Sequence, residues 1–186
     1  MFKMIRESIV ITTDKKNNVH IAPMGIIFKK KNVIISPFVP SQTYSNLKEH
    51  PYATINFTDN VKIFSDCILG KKKFKIKPTI KIKGFYLDET LSYLEVKVSK
   101  YHKNNVRPKF NCKILNESMV KPFKGFNRAQ AAVIEAAILV SRIQILPLKK
   151  IKKELQYLKI AIEKTAGNNE KIAWKKLMNK INSKNA

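Results

Sequence analysis

His20-Ile21-Ala22-Pro23-Met24-Gly25 lies inside a segment, Asn18 to Lys30, that otherwise holds residues a pleated sheet prefers: Val19, Ile21, Ile26, Ile27 and Phe28. Proline and glycine do not belong in the middle of such a strand. Pro23 removes a ladder donor and Gly25 has no side chain to pack. The pair therefore marks a bulge, or a bare stretch of main chain that a ligand can approach closely.

Working outward, Ile5 to Thr12 forms the preceding strand, joined by a turn over Asp14 to Asn18. Lys30-Lys31-Asn32 turns the chain back into Val33 to Phe38. A short helix is expected over Ser41 to His50, stopped by Pro51, and a strand over Ala53 to Thr58. Asn60 to Leu69 is ambiguous and closes at Gly70. Thr79 to Leu87 alternates Ile80 and Ile82 with lysines, the pattern of a half-exposed strand. Leu91 to Tyr101 and Lys109 to Asn116 complete a set of short strands that suggests a barrel or sandwich. From Asn127 the period changes. Asn127 and Gln130 have the spacing of a capping box for an alanine-rich helix that runs to about Leu146. Leu148, Ile151, Leu155, Leu158 and Ile162 mark an amphipathic helix, with Gly167 expected as its C′ stop. A last helix spans about Glu170 to Asn182. The expected organisation is mainly β with α: a barrel over 1–122 and a helical C-terminal part, 123–186, packed on it.

The 186 residues carry a net charge of +24, yet lysine supplies 33 of the 37 basic side chains and arginine only four. That bias, with abundant Ile and Asn, reads as composition rather than selection for phosphate contacts, where arginine is the better fork. Nucleic acid is then a partner through non-specific charge only. Cys67 and Cys112 make no disulfide framework, and no apolar run is long enough to span a membrane, so a reduced, cytoplasmic protein is expected. Three scattered histidines and two distant cysteines give no metal-ligand spacing. Cys67 and Cys112 read as small core residues, and His50 and His102 as surface residues.

Ser36-Pro37-Phe38-Val39-Pro40-Ser41-Gln42-Thr43 has the logic of an anion site. Ser41 is a natural N-cap, the first helical N–H groups lack intrahelical partners, and the hydroxyls of Ser41 and Thr43 with the Gln42 amide add donors. Taken alone, the same residues read more simply as an ordinary helix start, with Ser41 as its cap and Thr43 solvated.

His20 to Gly25, Pro37 to Leu47, Asn56-Phe57-Thr58-Asp59 and Phe126-Asn127-Arg128-Ala129, in this order, resemble an uncharacterised archaeal and bacterial family of FMN-binding split barrels. That family lies within the superfamily of flavin reductases and pyridoxamine phosphate oxidases. The resemblance implies a split β-barrel, a homodimer, and FMN bound noncovalently near the dimer interface. It places the backbone of Ala22, Pro23, Met24 and Gly25 along the isoalloxazine and the phosphate on Ser41, Gln42 and Thr43. Phe38 would lie near the ring or ribityl chain, and Asn56 would make a polar contact. His20 would donate to the ring, although it reads equally well as a half-buried strand residue. The phosphate segment holds no Lys or Arg between Ser36 and Tyr44, which leaves the charge to Arg128 or to Lys29–Lys31. The expected function is a flavin-dependent oxidoreductase acting on a small molecule. The alternatives are a basic nucleic-acid-binding module and a non-catalytic FMN carrier or sensor.

Overall fold

A computed structural model describes residues 4–71 and 73–183. The chain divides into two compact units, Met1–Thr58 with Lys72–Pro122, and Asp59–Lys71 with Phe123–Ala186. The sequence alone suggested one boundary, between 122 and 123. The structure adds Asp59–Lys71 to the helical unit, so the chain leaves the barrel and returns before its final exit.

The first unit is a closed antiparallel barrel in the order β1–β2–β3–β8–β7–β4. Its strands are β1 (Arg6–Thr13), β2 (Val19–Lys29), β3 (Asn32–Ile35), β4 (Tyr52–Phe57), β7 (Ser92–His102) and β8 (Lys109–Met119). A hairpin of β5 (Ile76–Pro78) and β6 (Phe85–Leu87) is separate, and α1 (Gln42–Glu49) joins β3 to β4. Asp14 shapes the first turn: its carboxylate accepts from the main-chain N–H groups of Lys16 and Asn18, both at 2.8 Å, while Asn17 takes φ +62°. That turn sets Ile9 opposite Pro23 and Glu7 opposite Gly25. β1 is buried on both faces from Ser8 to Thr13. The barrel is filled by Val10, Ile26, Ile35, Ile55, Leu94 and Phe110, each about 1% exposed or less.

The expected strand over Thr79 to Leu87 is corrected. Only Phe85–Leu87 is strand, because the buried Glu95 carboxylate gathers the chain around itself. Its Oε1 accepts from Ile80 N at 3.1 Å, and its Oε2 from Lys81 N at 2.7 Å and Ile82 N at 2.8 Å. Asn116 Nδ2 donates to Oε1 at 2.9 Å. Three successive N–H groups aimed at one side chain cannot also serve a ladder, so the Ile80/Ile82 alternation never becomes a strand.

The helical unit contains α2 (Lys62–Ile68), α3 (Arg128–Ser141), α4 (Leu148–Thr165) and α5 (Asn168–Asn182). Asn127 caps α3 as expected, its Oδ1 accepting from Ala129 N at 2.8 Å and Gln130 N at 3.2 Å. The small face of α3, Ala129, Ala132, Ala136 and Ala137, is buried against Ile151 and Leu155 of α4 and Leu177 of α5. Gly167 does not close α4 in a left-handed turn. It has φ −80° and is the N-cap of α5, its N–H donating to Glu170 Oε2 at 3.0 Å. Asp66, 4% exposed, accepts from Lys176 Nζ at 2.6 Å, with Lys71 and Lys62 at 3.4 and 3.5 Å. Burial opposes its ionisation, but the Lys176 hydrogen bond and the three ammonium charges outweigh it and hold the carboxyl below the ordinary aspartate value of 3.8.

Glu95→Ala strands three main-chain donors and is expected to cost about 2–4 kcal/mol in urea unfolding. A change under about 0.5 kcal/mol would remove Glu95 as the anchor of this segment. Asp66 has a depressed folded-state pKa, so its contribution is present above the unfolded value of 3.8 and is lost as pH falls through the folded value. Thermal midpoints measured on descending from pH 5 should fall less steeply for Asp66→Asn than for the wild type, and equal slopes would contradict this.

Candidate functional site

β2 has eleven residues and β3 only four. β1 pairs with β2 from Val19 to Ile26, but β3 pairs with it only from Ile26 to Lys29. Val19–Gly25 therefore has a strand on one side and, among the described residues, none on the other. The interruption at Pro23 and Gly25 is not a bulge, since the β1–β2 register runs through it without a shift. All seven residues are partly exposed. Ser8 Oγ donates to Met24 O at 2.8 Å and fixes this main chain from the β1 side. Gly25 has a reason within the chain as well, because a Cβ there would lie 2.6 Å from Ile5 Cγ2.

Pro37 and Pro40 end the β3 ladder and lead into α1. Ser41, in extended conformation, caps the helix by accepting from Tyr44 N at 3.3 Å. The N–H groups of Gln42 and Thr43 have no acceptor within the helix. Gln42 Nε2 donates to Asn46 Oδ1 at 2.7 Å, and Asn46 Nδ2 donates to Thr12 Oγ1 at 3.0 Å. Thr12 stands opposite His20 in the ladder, so α1 is tied to the His20 end of β2's partner strand. The structure thus ties the middle of α1, through Asn46, to β1 opposite His20.

Other expected residues fare differently. Thr43 is 2% exposed, leaving Ser41 and Gln42 as the accessible polar side chains of the helix start. Asn56 departs from its expected cofactor contact. It is fully buried, its Nδ2 donates to Ile9 O and Thr54 Oγ1 at 3.1 and 3.2 Å, and its Oδ1 accepts from Leu87 N at 2.8 Å. Those bonds staple β1, β4 and β6 together. Phe38 is 60% exposed, with the Arg107 guanidinium 4.6 Å from its ring centroid. Arg128 is exposed at the first position of α3 in the helical unit. His50 is half-buried rather than a surface residue, its Nδ1 lying 3.0 Å from Thr13 Oγ1. A small cavity is lined by Ile11–Thr13, Tyr52–Thr54 and Ile82–Phe85, and none of the expected cofactor residues lines it.

The thiols are not poised for redox work. Burial, reinforced by the Asp66 charge, pushes Cys67 up to about 12, and burial alone pushes Cys112 to about 12, so both stay protonated near neutrality. Among the described residues no group of three His, Cys, Asp or Glu side chains converges on a metal position. No helix among them is long and apolar enough to cross a membrane.

Six antiparallel strands closed around a short third strand define a split β-barrel protein. Residues 6–121 match the family described as "Protein of unknown function (DUF447) N-terminal domain", and residues 127–179 its companion, "Protein of unknown function (DUF447)". The chain belongs to the DUF447 family. An uncharacterised protein of Methanocaldococcus jannaschii, MJ1453, is 29% identical over 151 residues, which cover 75% of each chain. The crystal structure of an FMN-bound DUF447 protein, MM1853 from Methanosarcina mazei, superposes with a TM-score of 0.81, 20% identity and 96% coverage of both chains. The flavin reductase HpaC, solved with NADP+, gives a TM-score of 0.56 at 17% identity, covering 67% of this chain and 84% of its own.

Proposed function

We propose that this chain binds FMN noncovalently and is a flavin-dependent oxidoreductase acting on a small molecule. The observation that carries the reading is the half-flanked stretch Val19–Gly25, with α1 tied to the strand beside it. The FMN-bound DUF447 structure supports it. The donor set suits FMN: a partly exposed main chain with small side chains at Ala22 and Gly25 for the ring, and unpaired N–H groups with a hydroxyl for a phosphate.

Each residue then has a definite task. The main chain of Ala22–Gly25 lies along the isoalloxazine, with Ser8 holding Met24 O so that this wall keeps its shape. His20, opposite Thr12 on the same strand, is assigned to donate to the ring. Ser41, Gln42 and the Thr43 N–H receive the phosphate. Phe38 covers the ribityl side. Asn56 positions rather than binds, by holding β1 against β4 and β6. When bound, FMN supplies the redox chemistry that none of the side chains offers. A homodimer fits the exposed apolar side chains at one end of the barrel, where Phe28 stacks on Phe57 at 6.2 Å and Met4 and Ile5 are more than half exposed. The flavin reductase solved with NADP+ makes a reduced nicotinamide dinucleotide the first electron donor to try.

The purified protein should show flavin absorption bands, or acquire them when the apoprotein is titrated with FMN. Failure to bind added FMN would overturn the reading. Ser41→Asp keeps a good N-cap while placing a carboxylate at the phosphate position. Repulsion and the lost charge-assisted bond should weaken FMN about 10- to 100-fold with the thermal midpoint unchanged. Unchanged FMN affinity would remove Ser41 from the site.

A further inference from the structure

The phosphate segment carries no cation of its own between Ser36 and Tyr44. Lys48, the nearest in sequence, has its Nζ 4.3 Å from the Tyr101 ring centroid, on β7. A helix N-terminus can hold a phosphate through N–H groups and a hydroxyl, and a charge-assisted bond from a nearby cation strengthens the hold.

The structure places one on this segment from the turn between β7 and β8. Asn104 Oδ1 accepts from Val106 N at 2.9 Å and Arg107 N at 2.7 Å, which folds the turn. Val39 N donates to Val106 O at 3.0 Å, stitching the turn to the segment before α1. The Arg107 side chain then lies over Phe38 at 4.6 Å and donates from Nη2 to Ser36 O at 3.2 Å. That uses one of five guanidinium N–H donors, and the residue is solvent-exposed. In a chain with 33 lysines and four arginines, the residue set here is an arginine, the side chain whose planar fork matches phosphate.

We propose that Arg107 is the cation that pairs with the FMN phosphate, taking the part that sequence alone left to Arg128 or Lys29–Lys31. The inference rests on the FMN reading above. Arg107 is a binding residue that discriminates phosphorylated from unphosphorylated flavin. Its partner Phe38 keeps the guanidinium extended across the segment instead of free in solution. The arrangement ties two distant loops, 36–41 and 104–107, into one side of the site.

Riboflavin, which lacks the phosphate, isolates the effect. Affinities of the apoprotein for FMN and for riboflavin are measured by flavin fluorescence with wild type, Arg107→Gln and Arg107→Lys. Arg107→Gln should weaken FMN about 10- to 100-fold and leave riboflavin within about twofold, with Arg107→Lys in between. Equal loss for both flavins would overturn the proposal, because Arg107 would then only hold the Phe38 segment. No loss for either, while Ser41→Asp still weakens FMN, would overturn it and leave the FMN reading standing. Binding of neither flavin by wild type would end both. The wild type also provides a check free of variants. Its preference for FMN over riboflavin should shrink as salt is raised, as for an exposed ion pair, and a salt-independent preference would contradict the proposal.

Discussion

The structure turns on a mismatch of strand lengths. An eleven-residue β2 is flanked on one side by an eight-residue β1 and on the other by a four-residue β3. A strand edge left in this way exposes main-chain donors and acceptors, and proteins cover, charge or use such edges. Here the edge carries Ala22, Pro23 and Gly25, Ile5 fills the place a Gly25 side chain would take, and α1 is tied to β1. The mismatch has a chemical origin: Pro37 and Pro40 cannot donate to a ladder, so β3 stops and the chain turns into a helix. One local rule therefore produces both the open edge and the start of a helix.

Around that edge the barrel is held by buried polar groups that are almost entirely spoken for. Glu95 gathers residues 80–82, Asn56 joins β1 to β6, and Asn46 links Gln42 to Thr12. Among the described residues no buried side-chain nitrogen or oxygen lacks a partner. The polar groups left for a ligand are accordingly the main chain of β2, the first turn of α1, and exposed side chains such as Arg107. A site made of main chain and one or two cations suits a cofactor that brings its own reactivity, with the protein supplying position and charge.

Much of the barrel was legible because its strands obey period and turn chemistry. The segment read as Asn18 to Lys30 forms a strand over Val19–Lys29, since β-prone residues stand on both sides of Pro23 and the Asp14 turn is marked by Asp and Asn. The Ser41 cap followed from rules that act within four residues. What escaped depends on distance. Nothing near Thr79–Leu87 announces that a carboxylate at position 95 will gather its N–H groups, and Ile80/Ile82 mimic a strand. Gly167 has the composition of a helix stop, but Glu170 three residues on makes it a helix start. The family resemblance implies a polar cofactor contact for Asn56, and only the tertiary pairing with Ile9 and Leu87 shows it turned inward. Arg107, 71 residues from Ser36, becomes part of the segment only once β7 and β8 are in place. Its one sequence signal is an arginine at the tip of a lysine-rich hairpin.

The account predicts where a flavin must lie. A crystal structure of the protein with FMN tests this most directly. The three-ring system should run along the main chain of Ala22–Gly25, with its phosphate within hydrogen-bond reach of Ser41 and the Gln42 and Thr43 N–H groups. A structure in which Val19–Gly25 is closed off by another strand, or in which the flavin lies away from that edge, would contradict the central claim.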